Sequence, residues 1–566
     1  MTRARRRLLP AILALAITAL VIVPTTSAAA VDYVPISGAG SSWSSNAIDQ
    51  WRRNVQQYGM RINYANTGSS DGRNQYKAGT VDFAVSEIPY GIKDGGVVDT
   101  PPSRAYSYIP IVAGGTAFMY NLQAGGKQIT NLRLSGSVIT KIFTAKITSW
   151  DDPAIAADNP GLALPKRKIV PIVRSDGSGS TAQFTTWMSK QYQADWDAYC
   201  VRAGRSAPCG VTSNYPTIPG TGFIAQPNSQ GVSGYVAQKA NIGTITYVEY
   251  SYALKTGYPV AKVLNSAGYY VEPTASNVAV GLLGAKINTT ATSSSYLTQI
   301  LDGVYANPDK RTYPLSSYSY MIIPTSTQNN FTEDKGKTLG AFASYFLCEG
   351  QQQAEVLGYS PLPINLVKAG LEQIAKIPGV GTSTVNIAKC NNPTFSKDGT
   401  NTLAAKAPQP SECDKKGATQ CTDGTGGSKT DTPVTTPAVT PGTSTGGTTT
   451  GGTTTGGTTT TGGATASDGS SAVNPGTPDA ATGGTSTGTV GTATGGTTTG
   501  LTAGPVSCEA DTGVCANVVA LPVEVAATSS WGVPQSLMTG AVVLLIGLVV
   551  VPPLIAQLTS RRRRRG

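Results

Sequence analysis

Three short segments rich in glycine and serine carry most of the side chains that could bind an anion. They are residues 38–43, 68–72 and 174–180, and each stands before a stretch that is predicted to be helical. A helix N-terminus offers unpaired N–H groups and the positive end of the helix dipole, while glycine allows close approach and serine adds a hydroxyl. Any one segment is equally consistent with an ordinary serine cap. Three of them, one with an arginine, predict an anion site.

Arg174 and Asp176 are the charged residues of the third segment. A guanidinium group forms bidentate, charge-assisted hydrogen bonds to an oxyanion, and Asp176 could hold that fork in place. The alternative is a surface ion pair between the two residues. Because the first two segments lie near the start of the chain and the third near its middle, a ligand that touches all three would join two lobes.

Other motifs match enzyme signatures without the residues those enzymes need. Residues 68–72 fit the G-x-S-x-G pattern of hydrolases, but that nucleophile requires a histidine base and the chain has no histidine. Residues 177–182 fit a dinucleotide-binding pattern, but Asp195 and Asp197 lie in a helix-like stretch and not at a strand end. We therefore predict a binding protein rather than an enzyme, with no catalytic residues, no metal site and no cofactor.

Residues 31–392 have the composition of a globular α/β domain. About 360 residues exceed the size at which one core usually stops growing, so two lobes are expected. Predicted strands alternate with predicted helices, which favours mostly parallel sheets. The strand candidates are residues 81–86, 108–112, 116–121, 169–173, 243–248 and 317–323, and the helix candidates are residues 46–57, 135–144, 181–191, 336–348 and 364–376.

The two ends of the chain indicate export and anchoring. Residues 1–30 have the arginines, apolar run and small-residue site of a signal peptide. Residues 393–530 are rich in Thr, Gly, Ser and Pro and predict a disordered stalk. Residues 536–558 are long and apolar enough for a transmembrane helix, and the arginines of residues 559–566 place the C-terminus in the cytoplasm. We expect a single-pass protein of the cell membrane whose domain faces outward.

Charge and cysteine content limit the partners and the compartment. The net charge is +11, but nine arginines lie in the two terminal segments, so residues 31–560 carry about +2 and predict no nucleic-acid binding. The eight cysteines fit an oxidising compartment. Pairing between sequence neighbours is the simplest connectivity, although spacing alone leaves it open. Those pairs are 200 with 209, 348 with 390, 413 with 421, and 508 with 515.

The chain resembles the substrate-binding proteins of phosphate ABC transporters over most of residues 36–380. Besides the three segments, the resemblance rests on five motifs that follow in order along the chain. These are VDFAVS at residues 81–86, ITSWDDPAI at 147–155, NPGL at 159–162, GTITYVEYSY at 243–252 and GYSPLP at 358–363.

The resemblance implies a two-lobed fold like that of type II periplasmic binding proteins, with a hinge, and inorganic phosphate as the ligand. It also implies an ABC permease and its ATPase subunits as partners. The implied phosphate-binding residues are Ser42, Trp43, Ser69, Glu87, Arg174, Asp176, Ser178, Gly179 and Ser180. Glu87 stands where the family has an aspartate that accepts the phosphate's proton. The alternative function is a wall-associated adhesin or structural protein on the same fold.

Overall fold

One eight-stranded mixed sheet runs through the part of the chain that the structure, a computed structural model, describes: residues 32–381, 387, 390–396 and 398–434. Its strands are β1 (Ile36–Gly40), β2 (Ile62–Ala65), β3 (Phe83–Ser86), β4 (Tyr106–Asn121), β5 (Val170–Arg174), β6 (Ile224–Gln226), β7 (Thr244–Glu249) and β8 (Ser316–Pro324). The order across the sheet is β6-β5-β7-β4-β8-β3-β1-β2.

Helices follow most of these strands within the described residues. They are α1 (Ser45–Asn54), α2 (Ser69–Ala78), α3 (Gly136–Phe143), α4 (Pro153–Asp158), α5 (Gly179–Gln191), α6 (Gln193–Arg202), α7 (Asn228–Val236), α8 (Tyr250–Thr256), α9 (Ala275–Leu282), α10 (Asp302–Tyr305), α11 (Glu333–Leu347), α12 (Ile364–Ile374) and α13 (Thr402–Lys406). Shorter strands pair outside the main sheet; they are Lys93–Asp94, Val97–Val98, Gln123–Ala124, Lys127–Gln128, Arg133–Leu134, Lys262–Leu264, Tyr270–Val271, Lys286–Ile287 and Gln299–Ile300.

The sheet divides into two lobes that share its central strands. In lobe 1, β1 pairs in parallel with β2 and β3, and α2 and α11 pack against it. In lobe 2, β5 pairs in parallel with β6 and β7, and α5 and α7 pack against β7. This arrangement confirms the predicted two-lobed α/β fold with mostly parallel pairing inside each lobe.

Strand β4 crosses from one lobe to the other. Its first part pairs with β8 in lobe 1, and its last six residues pair with β7 in lobe 2. The sequence predicted two strands here, because glycines at 114 and 115 interrupt the apolar pattern. The strand continues through them since Ser316 and Ser317 of β8 supply the ladder partners.

The remaining predicted elements agree with the structure within a few residues. Helix 46–57 is observed as α1, which ends at Asn54 and continues as the 3-10 helix Val55–Tyr58. Helix 336–348 begins one turn earlier because Thr332 caps α11 by accepting a hydrogen bond from the N–H of Lys335. These differences are the usual uncertainty of helix ends.

The cysteines in the described residues pair as sequence neighbours. Disulfides join Cys200 to Cys209, Cys348 to Cys390 and Cys413 to Cys421. The fourth predicted pair, at 508 and 515, lies outside the described residues.

The folded part of the chain continues beyond residue 392, where we placed the start of the stalk. Arg133, whose side chain is buried, donates hydrogen bonds to the carbonyl oxygens of Cys413 and Ala418, at 2.8 and 2.9 Å. Lys262 forms an ion pair of 2.8 Å with Asp414. A disulfide, the buried Arg133 and the Lys262–Asp414 ion pair therefore hold part of residues 393–434, whose composition resembles a linker, against the domain.

The signal peptide and the predicted membrane helix lie outside the described residues. Within residues 32–434, leaving aside the undescribed gaps, no helix has the length and apolar character that a membrane span requires.

Candidate functional site

The three glycine- and serine-rich segments, residues 38–43, 68–72 and 174–180, meet at the cleft between the lobes. Strand β1 ends at Gly40 and leads through residues 41–44 into α1, and strand β5 ends at Arg174 and leads into α5. The segment at residues 68–72 contains the start of α2. Because ligand sites of open α/β sheets lie at the carboxyl ends of the strands, this placement agrees with the predicted anion site.

Arg174 lies in the cleft as a buried, oriented cation. Its side chain is only 2 % exposed, which rules out the alternative of a surface ion pair. The Nε atom donates to Asp176 Oδ1 at 2.7 Å, and Nη2 donates to Asp176 Oδ2. Asp176 is itself held by the backbone N–H of Asn228, at 2.8 Å. The guanidinium plane is therefore fixed. Among the described residues, Nη1 has only a long contact of 3.4 Å, to Ser229 Oγ.

The first turn of α5 presents backbone and hydroxyl donors beside Arg174. Ser178 caps the helix by accepting a hydrogen bond from the N–H of Thr181 at 3.2 Å. The N–H of Gly179 donates to Ser69 Oγ at 3.1 Å, so this turn touches lobe 1. The hydroxyl of Ser180 is buried and has no hydrogen-bond partner among the described residues. A buried hydroxyl without a partner is costly, so Ser180 is a candidate donor to a ligand oxygen.

Glycine is required at position 179 because of the carboxylate opposite. A Cβ atom built on Gly179 would lie 1.8 Å from Glu87 Oε2 and 2.6 Å from Ser69 Oγ. A similar restriction applies to Gly68, which has a φ of +99° and whose Cβ would lie 2.6 Å from Asp176 Oδ2. Both glycines allow the two lobes to approach at the site.

Glu87 is buried at the centre of the cleft and is held by hydroxyl groups from three elements. Its Oε1 accepts hydrogen bonds from Ser41 and Ser319, both at 2.7 Å, and its Oε2 accepts one from Ser69 at 2.8 Å. Burial raises the pKa of Glu87 above its ordinary value, and the three hydroxyl donors offset part of that rise. Since each carboxylate oxygen has two lone pairs, Oε2 keeps one acceptor position beside Gly179.

Ser42 and Trp43 take different roles in the first segment. The hydroxyl of Ser42 lies 2.9 Å from that of Ser229 and accepts a hydrogen bond from the Ser229 N–H at 3.0 Å. The indole of Trp43 is buried and packs edge-on against Tyr359, with 5.7 Å between ring centroids. The backbone N–H of Trp43 donates to Ser41 Oγ at 3.0 Å. Ser42 is thus in the cleft, whereas the Trp43 side chain belongs to the core beneath it.

Three further serines of this site were not predicted from the sequence. Ser41 lies within the first segment, and its position next to Ser42 could have suggested it. Ser229 is the second residue of α7, where the pattern of a helix start gives only a weak signal. Ser319 lies inside β8, where no local pattern marks it. Each became visible only through its contact with Ser42 or Glu87.

The comparisons with known proteins agree with this fold. The PBP superfamily domain matches residues 23–349. The phosphate-binding protein PstS of Xylella fastidiosa (strain Temecula1) is 32% identical over 336 residues, covering 59% of this chain and 83% of the relative. PstS of Haemophilus influenzae is 31% identical, covering 59% of this chain and 90% of the relative.

A solved structure gives a weaker match. The periplasmic phosphate-binding protein PfluDING is 16% identical, covers 63% of this chain and 99% of its own, and superposes with a TM-score of 0.47. The superfamily match spans more than half of the chain, and the two PstS relatives exceed 30% identity over most of their own length. The chain belongs to the PBP superfamily, and within it to the PstS phosphate-binding proteins.

Proposed function

We propose that this protein captures inorganic phosphate outside the cytoplasm and delivers it to an ABC permease driven by ATPase subunits. The observation that carries this proposal is the meeting of a buried arginine, a helix N-terminus and a buried glutamate at one cleft. The PstS relatives, which bear the name phosphate-binding protein, support the same ligand. We assign no catalytic reaction to this site, and we propose that the protein is a receptor rather than an enzyme.

Arg174 and the start of α5 provide the attraction for the anion. The fork of Arg174 is oriented by Asp176 before any ligand arrives, so little side-chain entropy is lost on binding. The N–H groups of α5 add donors, and so does the buried hydroxyl of Ser180, which has no partner in the part of the chain that the structure describes. Ser42, Ser69 and Ser178 complete the polar lining. This set of donors favours a small, fully enclosed oxyanion.

Glu87 provides the discrimination between tetrahedral anions. Phosphate keeps at least one proton at neutral pH and can donate it to the remaining acceptor position of Oε2, whereas sulfate has no proton to donate. The longer side chain, compared with the aspartate of the family, is held by Ser41 and Ser319. We infer that these two hydroxyls set the position of the Glu87 carboxylate for this task.

The alternative of a wall-associated adhesin or structural protein is less well supported. A structural role requires no buried cation with an oriented partner, and no unpaired hydroxyl beside it. A cleft that combines these features costs stability, which is expected of a binding site.

Isothermal calorimetry of the purified protein with phosphate, arsenate and sulfate tests the proposal. We expect tight binding of phosphate, binding of arsenate because it carries the same proton, and much weaker binding of sulfate. The absence of measurable phosphate binding in the folded protein would contradict the proposed function.

We also propose that the protein is exported and anchored by residues 536–558, with the binding domain outside the cell. This rests on the sequence of the two ends. Protease added to intact, wall-stripped cells is expected to release a soluble domain by cutting within the Gly/Thr-rich region after residue 434. A domain that stays protected until the membrane is broken would contradict this topology.

A further inference from the structure

A short hairpin of lobe 1 reaches a loop of lobe 2 and forms hydrogen bonds with it. The hairpin, residues 93–98, lies between β3 and β4, and the loop it contacts lies between α6 and β6. Asp94 Oδ1 accepts the N–H of Ser213 at 2.7 Å, and Asp94 Oδ2 accepts the hydroxyl of Ser213 at 2.6 Å. The N–H of Gly95 donates to the carbonyl of Val211 at 2.9 Å. All three hydrogen bonds join the two lobes.

On the lobe 2 side, these contacts lead directly to the anion site. The carbonyl of Ser213 accepts the N–H of Ser178 at 2.9 Å, and Ser178 is the residue that caps α5. The hydroxyl of Ser213 also accepts a hydrogen bond from Ser70 of α2 at 3.1 Å. Asp94 therefore holds Ser213, and Ser213 in turn holds Ser178 at the start of α5.

On the lobe 1 side, the hairpin is attached to the segments that carry Ser69 and Glu87. Arg73 of α2 has a buried side chain, pairs with Asp99 and lies 3.9 Å from Asp94 Oδ2. Its Nη1 atom also donates to the carbonyl of Pro89 at 3.1 Å, two residues after Glu87. The hairpin is thus not a free loop, because a buried cation ties it to both halves of the lobe 1 site.

We propose that Asp94 is a positioning residue that closes the two lobes over the ligand and sets how long the ligand stays bound. This inference rests on the proposed function and adds a residue that does not contact the anion itself. An ionised carboxylate is an acceptor at both oxygens, so Asp94 matches the N–H and O–H that Ser213 presents together. Because the bonds form only when the lobes meet, they stabilise the closed state alone, and opening must break them before the ligand leaves.

Rapid-mixing measurement of phosphate association and dissociation, with the full chain, tests this role. Asp94→Ala is expected to raise the dissociation rate about 10- to 100-fold, because two hydrogen bonds to a charged group are lost. Asp94→Asn, which keeps one acceptor, is expected to raise it less. The association rate should change little, and the ratio of phosphate to sulfate affinity should stay at the wild-type value.

The matched control is Asp334→Ala. Asp334 lies on lobe 1 in the first turn of α11, is exposed and pairs only locally with Lys337 in the described residues. Its loss removes the same charge from the same lobe and should leave both rates unchanged. Should Asp94→Ala fail to fold, Ser213→Ala removes the hydroxyl alone and is expected to raise the dissociation rate in the same direction.

Two results would overturn the inference. The first is a wild-type dissociation rate in the folded Asp94 variants, and the second is a changed phosphate-to-sulfate ratio, which would place Asp94 on the ligand. Amide hydrogen exchange distinguishes failure of this inference from failure of the proposed function. If wild type binds no phosphate, faster exchange of the Ser213 N–H in Asp94→Ala still supports the contact between lobes, and equal exchange refutes it.

Discussion

The two lobes bring opposite chemistry to the cleft. Lobe 2 contributes the Arg174 guanidinium and the N–H and hydroxyl groups at the start of α5, which are donors. Lobe 1 contributes the Glu87 carboxylate and the serines that hold it. In the proposed function, most of the attraction for an anion comes from lobe 2, and the ability to distinguish protonated from unprotonated anions comes from lobe 1. Full recognition requires closure, because neither half does both.

Removing the lobe 2 cation is expected to have the largest effect. Arg174→Ala should weaken phosphate binding by about 2–5 kcal/mol, roughly 30- to 5,000-fold, because the ligand loses its charged partner and Asp176 is left without its own. Arg174→Lys should recover only part of this, since an ammonium group cannot reproduce the planar fork. Calorimetry with phosphate measures both. An alanine variant with affinity near wild type would show that the lobe 2 half is wrongly assigned.

Changing the lobe 1 carboxylate is expected to alter selectivity more than affinity. Glu87→Gln replaces one carboxylate oxygen with an N–H donor. A sulfate oxygen, which is itself an acceptor, then no longer meets a second acceptor in a dry site. The ratio of phosphate to sulfate affinity should fall roughly 5- to 150-fold, which corresponds to about 1–3 kcal/mol of binding free energy. Titration of wild type and variant with both anions at neutral pH gives the ratio. An unchanged ratio would mean that Glu87 does not sense the ligand's proton.

Ser319→Ala provides the control for that experiment. It removes one hydroxyl donor from Oε1 and leaves the carboxylate and its charge in place. We expect a smaller loss of selectivity than in Glu87→Gln, in the same direction, because the side chain is less firmly held. A larger loss would assign the sensing role to Ser319 itself.

The halves of the site differed in how far the sequence revealed them. The start of α5 and Arg174 form one continuous segment, so a local pattern of strand, glycine-serine turn and helix was enough to predict them. Glu87 depends on Ser319, which lies 232 residues away, and Ser42 meets Ser229 across 187 residues. The first pair is set by the pairing of β8 with β3 inside lobe 1, and the second by the contact between the lobes. No local sequence pattern records either.

The same reason limits prediction in two other regions. The hairpin at residues 93–98 has no site-like sequence, and its contact with Ser213 joins residues 119 apart. The stalk boundary at residue 392 was predicted from composition, and composition does not show that Arg133 donates hydrogen bonds to the carbonyl groups of residues 413 and 418. Fold class and the helix-start anion groups were predictable, whereas the packing of the lobes and of residues 393–434 was not.

Glu249 is a second buried acid, and it should make the stability of the protein depend on pH. It ends β7, and its Oε2 accepts the N–H of Ser251 at 2.8 Å, while its buried Oε1 has no hydrogen-bond partner among the described residues. Burial raises the pKa of Glu249 well above its ordinary value of 4.5. Burial also raises the pKa of Glu87, but three hydroxyls offset part of that effect.

The sign of the pH dependence follows from these shifts. Above pH 4.5 the unfolded state releases the proton of Glu249 while the folded state retains it, so stability should fall as the pH rises toward the folded pKa. Each pH unit in this range costs about 1.4 kcal/mol for one such group. Glu249→Gln should flatten the slope, and Glu87→Gln should flatten it less. Urea denaturation between pH 5 and 8 measures this, and equal slopes in wild type and Glu249→Gln would contradict the assignment.

The smallest expected effect concerns the region after the binding domain. Deleting residues 440–500 should leave phosphate affinity and stability at their wild-type values. The last described hydrogen bonds to lobe 2 are those of Thr430 and Thr432 with Thr130, before the deletion begins. Deleting residues 393–434 is the contrasting control, because it removes the acceptors of buried Arg133 and should destabilise the protein strongly. Calorimetry and thermal unfolding measure both variants. If the 440–500 deletion lowers phosphate affinity, the domain extends further than the described residues indicate; if the 393–434 deletion has no effect on unfolding, those residues are dispensable and the earlier boundary at residue 392 is the better one.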